Sequence, residues 1–554
     1  MNLKRYILWV LAWMPLWLIW ESCQKDFLDK KPLNSFSSED VWSDINLVQL
    51  YVNSIYQVLP HFRGGPSETP SASGLSGASS EGYATFDYED VWFWNSGTVS
   101  PDNLSMDGWE DYYRFVRRCN IFFQHIESVE GDQELKDRLT GQVTFLRAWC
   151  YFALWARYGG VPLITGVYNL TDSSFVVSRN SYDECLQFMV GELDKAANLL
   201  PPSYTGDDIG RITKGAALAL KSRALLYAAS TLHNPSHDLQ KWQAAADAAK
   251  ALIDLADLGT YALYQGDYTQ IFLEDHNSEV ILAYGMNSSI NPYYGDYGSM
   301  LNVQIGPNGY HGWSAYVPSQ NMVDQFEMKN GKSIDEQGSN YDPDHPYDNR
   351  DPRFYADILY NGAEFRGRKY ESFEGGLDSP QSPIENWNAS LTGYNWRKYA
   401  NESEPISENL GTDQNWIIFR LAEVYLNYAE SQCELGHYDE ARKYLNLIRG
   451  RKSVNMPAVS TSGTDLLEDI RHERTVELCL EGHRFFDVRR WKIAEQTENM
   501  PLRGVHITRQ ADGSFTYSYF TLQERAFNPS NYLFPIPKYE LDKNSLLEQN
   551  PGYQ

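Results

Sequence analysis

The stretch that most constrains the fold is IIFRLAEVYLNYAESQCELGHYDEARKYLNLIRGR, residues 417–451. Its apolar side chains recur at helical spacing on both sides of Gly436, so it forms two helices joined by one tight turn. Ala429 lets the two helices approach closely, Gly436 makes the turn, and Ala441 lies at the next helix contact. Such a pair cannot bury its apolar stripe alone, and further helices must pack against it.

Tyr425, Ala429, Gly436, Tyr438 and Ala441 fall at tetratricopeptide-like spacings. A second pair is predicted from GRITKGAALALKSRALLYAAS and KWQAAADAAKALIDLA, separated by a break over 232–237. Other helical blocks start near Ser38, where Val41, Ile45, Val48, Val52, Ile55 and Leu59 form one stripe, and at WEDYYRFVRRCNIFFQHI. Another runs through GQVTFLRAWCYFALWARY and stops at Gly159-Gly160, with Pro162 beyond. The pairs are dispersed rather than tandem. The prediction is a mainly α helical scaffold interrupted by long loop-rich insertions near 60–110 and 261–415. The first opens in a Gly/Ser/Pro stretch that must be a loop, while the second is rich in aromatics, whereas disordered segments are poor in them, so it is read as folded loops.

The chain opens with Lys4 and Arg5 before an apolar run from Tyr6 to Trp20. That is the layout of an export signal, and Glu21 arrives too early for a membrane span. Ser22 precedes Cys23 as the small residue of a lipoprotein signal does, although Trp20 and Glu21 are atypical of one. The expected organisation is a signal over 1–22, lipidation of Cys23, a polar tether over 23–36, and one domain over 37–554. The lipid would be the only attachment to a membrane. Cys119, Cys150, Cys185, Cys433 and Cys479 lie at apolar helical positions and suggest neither a disulfide framework nor a zinc site.

With 73 acidic and 47 basic side chains, the formal charge is −26, which disfavours a nucleic-acid partner. No phosphate loop, GxSxG elbow or HExxH helix occurs. His483 and Asp487 lie one helical turn apart but lack a nucleophile, and with Arg484, Arg489 and Arg490 they read as a structural knot. No catalytic residue is assigned. No cofactor is implied; NYDPDHPYDNRD has the oxygen groups for a structural calcium ion, with a solvated acidic loop as the preferred reading.

The positive signal is aromatic. Trp92 and Trp94, two apart, would share one side of an extended segment, with Asp87 and Asn95 close by. Tyr293, Tyr294, Asp296, Tyr297, Tyr310 and Trp313 stand in turn-rich sequence where burial is harder. Rings of this kind can stack on the apolar faces of sugars while polar neighbours bond the hydroxyls. Core packing is the competing reading for each.

Six segments in order resemble the SusD-like (RagB/SusD) family: CQKDFLDKKP, LRAWCYFALWARYGGVPL, RITKGAALALKSRALLYAA, RLAEVYLNYAESQCELGHYDEARKYLNLIRGR, ERTVELCLEGHRFFDVRRWK and YLFPIPKYELDKNSLLEQNPGYQ. The resemblance implies about four tetratricopeptide-like helix pairs and a loop-rich face for ligand. It further implies a non-enzymatic lipoprotein on the outer-membrane surface that binds oligosaccharide or polysaccharide and serves a SusC-like TonB-dependent transporter. Family sites map to the regions around Trp92 and Trp94 and around Tyr293 to Trp313. The alternatives are a secreted glycoside hydrolase and a helical-repeat module that binds peptide or protein.

Overall fold

The computed structural model describes residues 38–62, 73–86, 90–168, 176–289, 299–407, 409 and 411–553. Among them, α1 (Ile45–Ile55) buries Val48, Val52 and Ile55, the stripe read from the sequence. Asp44 caps it by accepting the Asn46 amide at 2.9 Å. Next come α2 (Trp109–His125) and the long α3 (Gln133–Tyr158). Every side chain from Gly141 to Trp155 is buried, so α3 is the central rod rather than an amphipathic surface helix. It packs against α1, α2 and α4 (Tyr182–Leu199). The sequence reading did not name α4, although Ser181 and Glu184 form a reciprocal capping box at its start.

The pair α5 (Lys214–Ala229) and α6 (Leu239–Asp257) meets through small residues, with Ala216, Ala217, Ala224 and Ala228 on one helix and Ala245, Ala246 and Ala249 on the other all buried. Of the opening segment, residues 421–449 fold as predicted into α7 (Leu421–Glu434) and α8 (Tyr438–Arg449), which pack together, with α7 also on α6, whereas Ile417 to Arg420 belong to a strand rather than to the start of the helix. Gly436 turns the chain with φ +81°, and the His437 amide closes on Gln432 O at 2.8 Å. A last pair, α9 (Gly463–Glu477) and α10 (Arg484–Arg490), is tied by Arg474 Nε to Asp487 Oδ2 at 3.2 Å. All five cysteines named above are buried and free of disulfides. No helix among the described residues is long and apolar enough to cross a membrane.

The insertions contribute short strands. β1 (Gly82–Ala84) pairs antiparallel with β3 (Tyr316–Pro318), and β2 (Val280–Tyr284) with β4 (Trp416–Arg420). The hairpin of β5 (Leu502–Arg509) and β6 (Phe515–Gln523) was not anticipated. The span 261–415 is no mere loop: Ile305, Val317, Phe326, Phe354 and Trp396 are all buried.

A buried ionic lattice bolts this insertion to the scaffold. Arg353 pairs with Asp351 (2.8 Å), Glu473 (2.5 Å) and Glu477 (2.9 Å), each side chain no more than 1% exposed. Arg420, ending β4, reaches Glu279, Glu477 and Glu481, and Arg451 reaches Glu279 and Glu477. Glu477 is held far below the ordinary carboxylate range; burial alone would raise it, and Arg451, Arg420 and Arg353 overcome that.

Candidate functional site

The β1–β3 pairing brings two distant segments to one place. The register sets Ala84 opposite Tyr316, and the Thr85 amide donates to Ala315 O at 2.9 Å, which delivers Phe86 beside the loop that precedes β3. That loop makes one tight turn over Asn308–Tyr310 and leaves through His311, whose φ is +63°. Gly312 has to be glycine, because a Cβ there would lie 2.3 Å from the Gly306 carbonyl.

Two asparagines staple this turn to residues 379–388. Asn308 Nδ2 donates to Glu385 O at 2.5 Å, and Asn388 Nδ2 donates to Gly312 O at 2.5 Å. Between the staples stands Trp387, 58% exposed. Its indole Nε1 donates to Glu385 Oε1 at 2.8 Å, while Glu385 Oε2 meets His311 Nδ1 at 2.9 Å. Phe86 lies 5.7 Å from the Trp387 ring, tilted by 45°. One carboxylate thus orients both the indole and the imidazole. The result is an exposed indole with a second ring tilted beside it and polar atoms at its edge, a platform suited to a ligand with both kinds of face.

Tyr310 and Trp313 flank this platform and are half-buried. Tyr310 donates its hydroxyl to Phe365 O at 2.5 Å, and the Arg368 guanidinium lies 4.1 Å over its ring. Arg368 is itself held by Asp378 at 2.6 and 2.8 Å. Trp313 leans on the core, its amide bonded to Val303 O at 2.7 Å.

The extended segment expected at Trp92 and Trp94 is instead a short helix, Trp92–Asn95. At about 100° per residue, side chains two apart point to opposite sides. Trp92 is 49% exposed, whereas Trp94 is buried against Phe534 at 4.3 Å and Phe485 at 5.7 Å. Asn95 is buried too, its Nδ2 donating to Gly77 O at 3.0 Å. Trp94 and Asn95 therefore hold the fold rather than face solvent. Asp87, Tyr293, Tyr294, Asp296, Tyr297 and Cys23 lie outside the described residues.

His483 and Asp487 are buried. Asp487 is engaged by Arg490 at 2.7 Å and Arg474 at 3.2 Å, and Arg490 is clamped in turn by Glu430. Burial, reinforced by Arg223 and Arg474, keeps the His483 imidazole neutral well below its ordinary range. In the acidic stretch, Asp342 Oδ2 meets His345 Nδ1 at 2.9 Å and Asp351 serves Arg353, so those oxygens cap turns and pair charges. Among the described residues, no cluster of acidic, His and Cys groups is arranged to hold a metal ion.

A cleft of about 720 Å³ lies elsewhere, between α1, the 202–213 loop and residues 275–287. Its tyrosines already serve the scaffold: Tyr56 OH donates to Gln142 at 2.7 Å and Tyr261 OH bonds Thr213 at 3.0 Å. The Trp387 platform is the better candidate because its ring is both exposed and oriented. The sequence reading missed it, since nothing local marks Trp387 in SPIENWNAS.

Stacked helix pairs with an exposed aromatic platform built from their insertions define a helical scaffold with a loop-borne aromatic face. The chain belongs to the SusD family: that family matches residues 271–553, and the group described as "Starch-binding associating with outer membrane" matches 26–226. It is similar to a crystallised SusD-like protein from Bacteroides fragilis, with 32% identity, a TM-score of 0.78, and coverage of 95% of this chain and all of that one. A SusD-like carbohydrate binding protein from the same species gives 26% identity and a TM-score of 0.77, covering 92% and 99%. The starch-binding protein SusD of Bacteroides thetaiotaomicron is 22% identical over 506 residues, 84% of this chain and 83% of its own length.

Proposed function

We propose that this chain is a cell-surface lipoprotein, anchored through Cys23 at the outer membrane, which binds oligosaccharide or polysaccharide and passes it unchanged to a SusC-like TonB-dependent transporter. The observation that carries the reading is the exposed Trp387 indole, set by Glu385 beside His311 and Phe86. A sugar ring lays its C–H face on the indole while its hydroxyls reach Glu385 and His311. Family membership and the names of the relatives support the ligand class. Tyr310, Trp313 and Trp92 are secondary contacts, and Asp87, Tyr293, Tyr294 and Asp296 are candidates from the neighbouring loops. Trp94 and Asn95 are set aside because they are buried.

An open platform of this size gives dissociation constants of about micromolar to millimolar, roughly −4 to −8 kcal/mol. Trp387→Ala removes a central anchor, a loss of about 2 kcal/mol or roughly 30-fold in affinity. The test is retardation of wild type and variant in affinity gels across a polysaccharide panel, followed by calorimetry on the responding glycan. Equal retardation of the two proteins on that glycan would remove Trp387 from the site. New reducing ends from that glycan, formed repeatedly and lost on mutating one carboxylate, would replace the binding reading with a hydrolase.

A further inference from the structure

The cleft of about 720 Å³ runs along a strand edge, with Val280–Ala283 and Gly285–Asn287 in one wall and the end of α1 and the 202–213 loop across from them. Among the described residues β2 has one strand neighbour, β4. Its other side is covered only where it begins. The Ala262 amide donates to Ser278 O at 2.8 Å, while the next carbonyl, Glu279 O, accepts the Leu421 amide at the end of β4 at 3.0 Å. Successive carbonyls of a strand point to opposite sides, so residues 260–262 lie on the side away from β4. Thr260 and Tyr261 also line the cleft, which puts the cleft on that same side.

Beyond Ser278 the cover stops. The Val280 amide turns back to Asn277 Oδ1 at 3.3 Å. Among the described residues, no segment other than β4 makes a main-chain hydrogen bond to Ile281, Leu282 or Ala283. An edge left open in this way is a template for another chain. It is also short, about 17 Å over five residues. The β2–β4 ladder slips register at two places, and such slips add twist. A long flat strand does not match this edge, whereas a segment of about five residues does.

The lining says what kind of segment. Ile281, Leu282 and Met286 are apolar, and across the cleft stands Ile209, 48% exposed. Asp207 and Asp275 are exposed carboxylates of the same cleft. Besides His276, the one basic side chain there is Arg211, which is spent on Asp208 at 2.5 Å and Asn53 at 2.8 Å. The lining is therefore acidic, in a chain of net charge −26, and favours Lys or Arg on whatever enters. For a sugar the cleft offers less, because none of Tyr56, Tyr204 and Tyr261 is exposed as Trp387 is.

We infer that the open edge of β2 is a docking site for an extended segment of a partner protein, about five residues long, with apolar and basic side chains in alternation. Its main chain adds a third strand to β2 and β4, and the alternation of a strand lets one segment serve both the apolar and the acidic lining. The site is separate from the Trp387 platform and does not depend on the glycan reading.

The test uses the full chain and the peptide acetyl-VKVKVK-amide, whose capped ends imitate the interior of a protein. Hydrogen exchange read by mass spectrometry should slow in residues 280–287 when the peptide is added. In calorimetry, Asp207→Lys, a change at an exposed side chain, should raise the dissociation constant about five-fold. The same peptide N-methylated at alternate residues keeps its charge and side chains but loses main-chain donors, and it should bind about ten-fold more weakly. Absence of protection over 280–287 overturns the inference, as does equal binding of the N-methylated peptide or of acetyl-VEVEVE-amide. Protection of that edge without peptide as protein concentration rises would assign it to a second copy instead. Protection by a glycan, or only by a peptide with free termini, would make the cleft a ligand site and equally sink the partner-segment reading.

Discussion

Asp357 is the residue where a single substitution tests the buried lattice most sharply. It ends the short helix Pro352–Asp357, is fully buried, and has no partner for Oδ1. The nearby Lys398 ammonium is already committed to Glu481 Oε1 at 2.8 Å and Glu477 O at 2.9 Å. Burial therefore dominates and pushes the Asp357 carboxyl up to about 7, against the pull of Lys398. The folded group holds its proton where the unfolded one, ionising near pH 4, does not. Its contribution to stability is complete below about pH 4 and is lost as pH rises to about 7, at about 1.4 kcal/mol per pH unit. Over roughly three pH units that sums to about 4 kcal/mol.

The wild-type profile alone would conceal this. Burial pushes His61 down to about 4 and His233 to about 3, and such groups stabilise the fold above about pH 6.5 and weaken it as pH falls. Asp357→Asn cannot ionise and leaves those histidines in place, so the difference between variant and wild type isolates the carboxyl. Urea unfolding followed by tryptophan fluorescence from pH 4.5 to 8.0 should show the variant gaining steadily on wild type up to about pH 7, then running parallel. A difference that is constant across the whole range would refute the reasoning and place an ionised Asp357 beside Lys398.

Arg353→Ala strands Asp351, Glu473 and Glu477 in the interior, and should cost about 3–5 kcal/mol, read as a lower urea midpoint at pH 7. Gly436→Ala meets no atom within 4 Å, so its cost is that of a left-handed backbone alone, about 1 kcal/mol in the same assay. Trp94→Ala should lose about 3–5 kcal/mol of stability, and Trp92→Ala, at an exposed ring, should lose under about 0.5 kcal/mol; a reversed order would undo their placement.

The helix pairs were legible because each carries a long periodic stripe and a marked turn. Val48, Val52 and Ile55 needed only a 3.6-residue period, and Gly436 needed only its αL conformation. Two elements had signals that went unused: the Ser181–Glu184 capping box and the alternation in FTYSYFTLQ of β6. Trp92 and Trp94 illustrate a harder limit. Four residues are too few to tell a period of 2 from one of 3.6, and tertiary packing of Trp94 on Phe534 decided it. The platform was not legible at all, since Glu385 finds His311 across 74 residues and Phe86 arrives through the β1–β3 pairing.

The lattice and the platform bear on one another through the insertion that both share. A recognition surface on a loose loop loses affinity to the entropy of ordering that loop. Here the insertion is fixed to the scaffold by Arg353 to Glu473 and Glu477 and by Lys398 to Glu481, and within itself by the Asn308 and Asn388 staples. The Trp387 ring needs no further ordering in two of its degrees of freedom, because Glu385 already holds its N–H. Removing the staple should therefore weaken glycan binding without touching the ring. Asn388→Ala leaves the Trp387–Glu385 contact in place yet frees Gly312, and the expected cost is about 1 kcal/mol in binding, roughly five-fold in dissociation constant. Calorimetry should report that loss mainly as a less favourable entropy. If Asn388→Ala binds as tightly as wild type while Trp387→Ala does not, the ring alone carries recognition and the rigid turn beneath it contributes only to the fold.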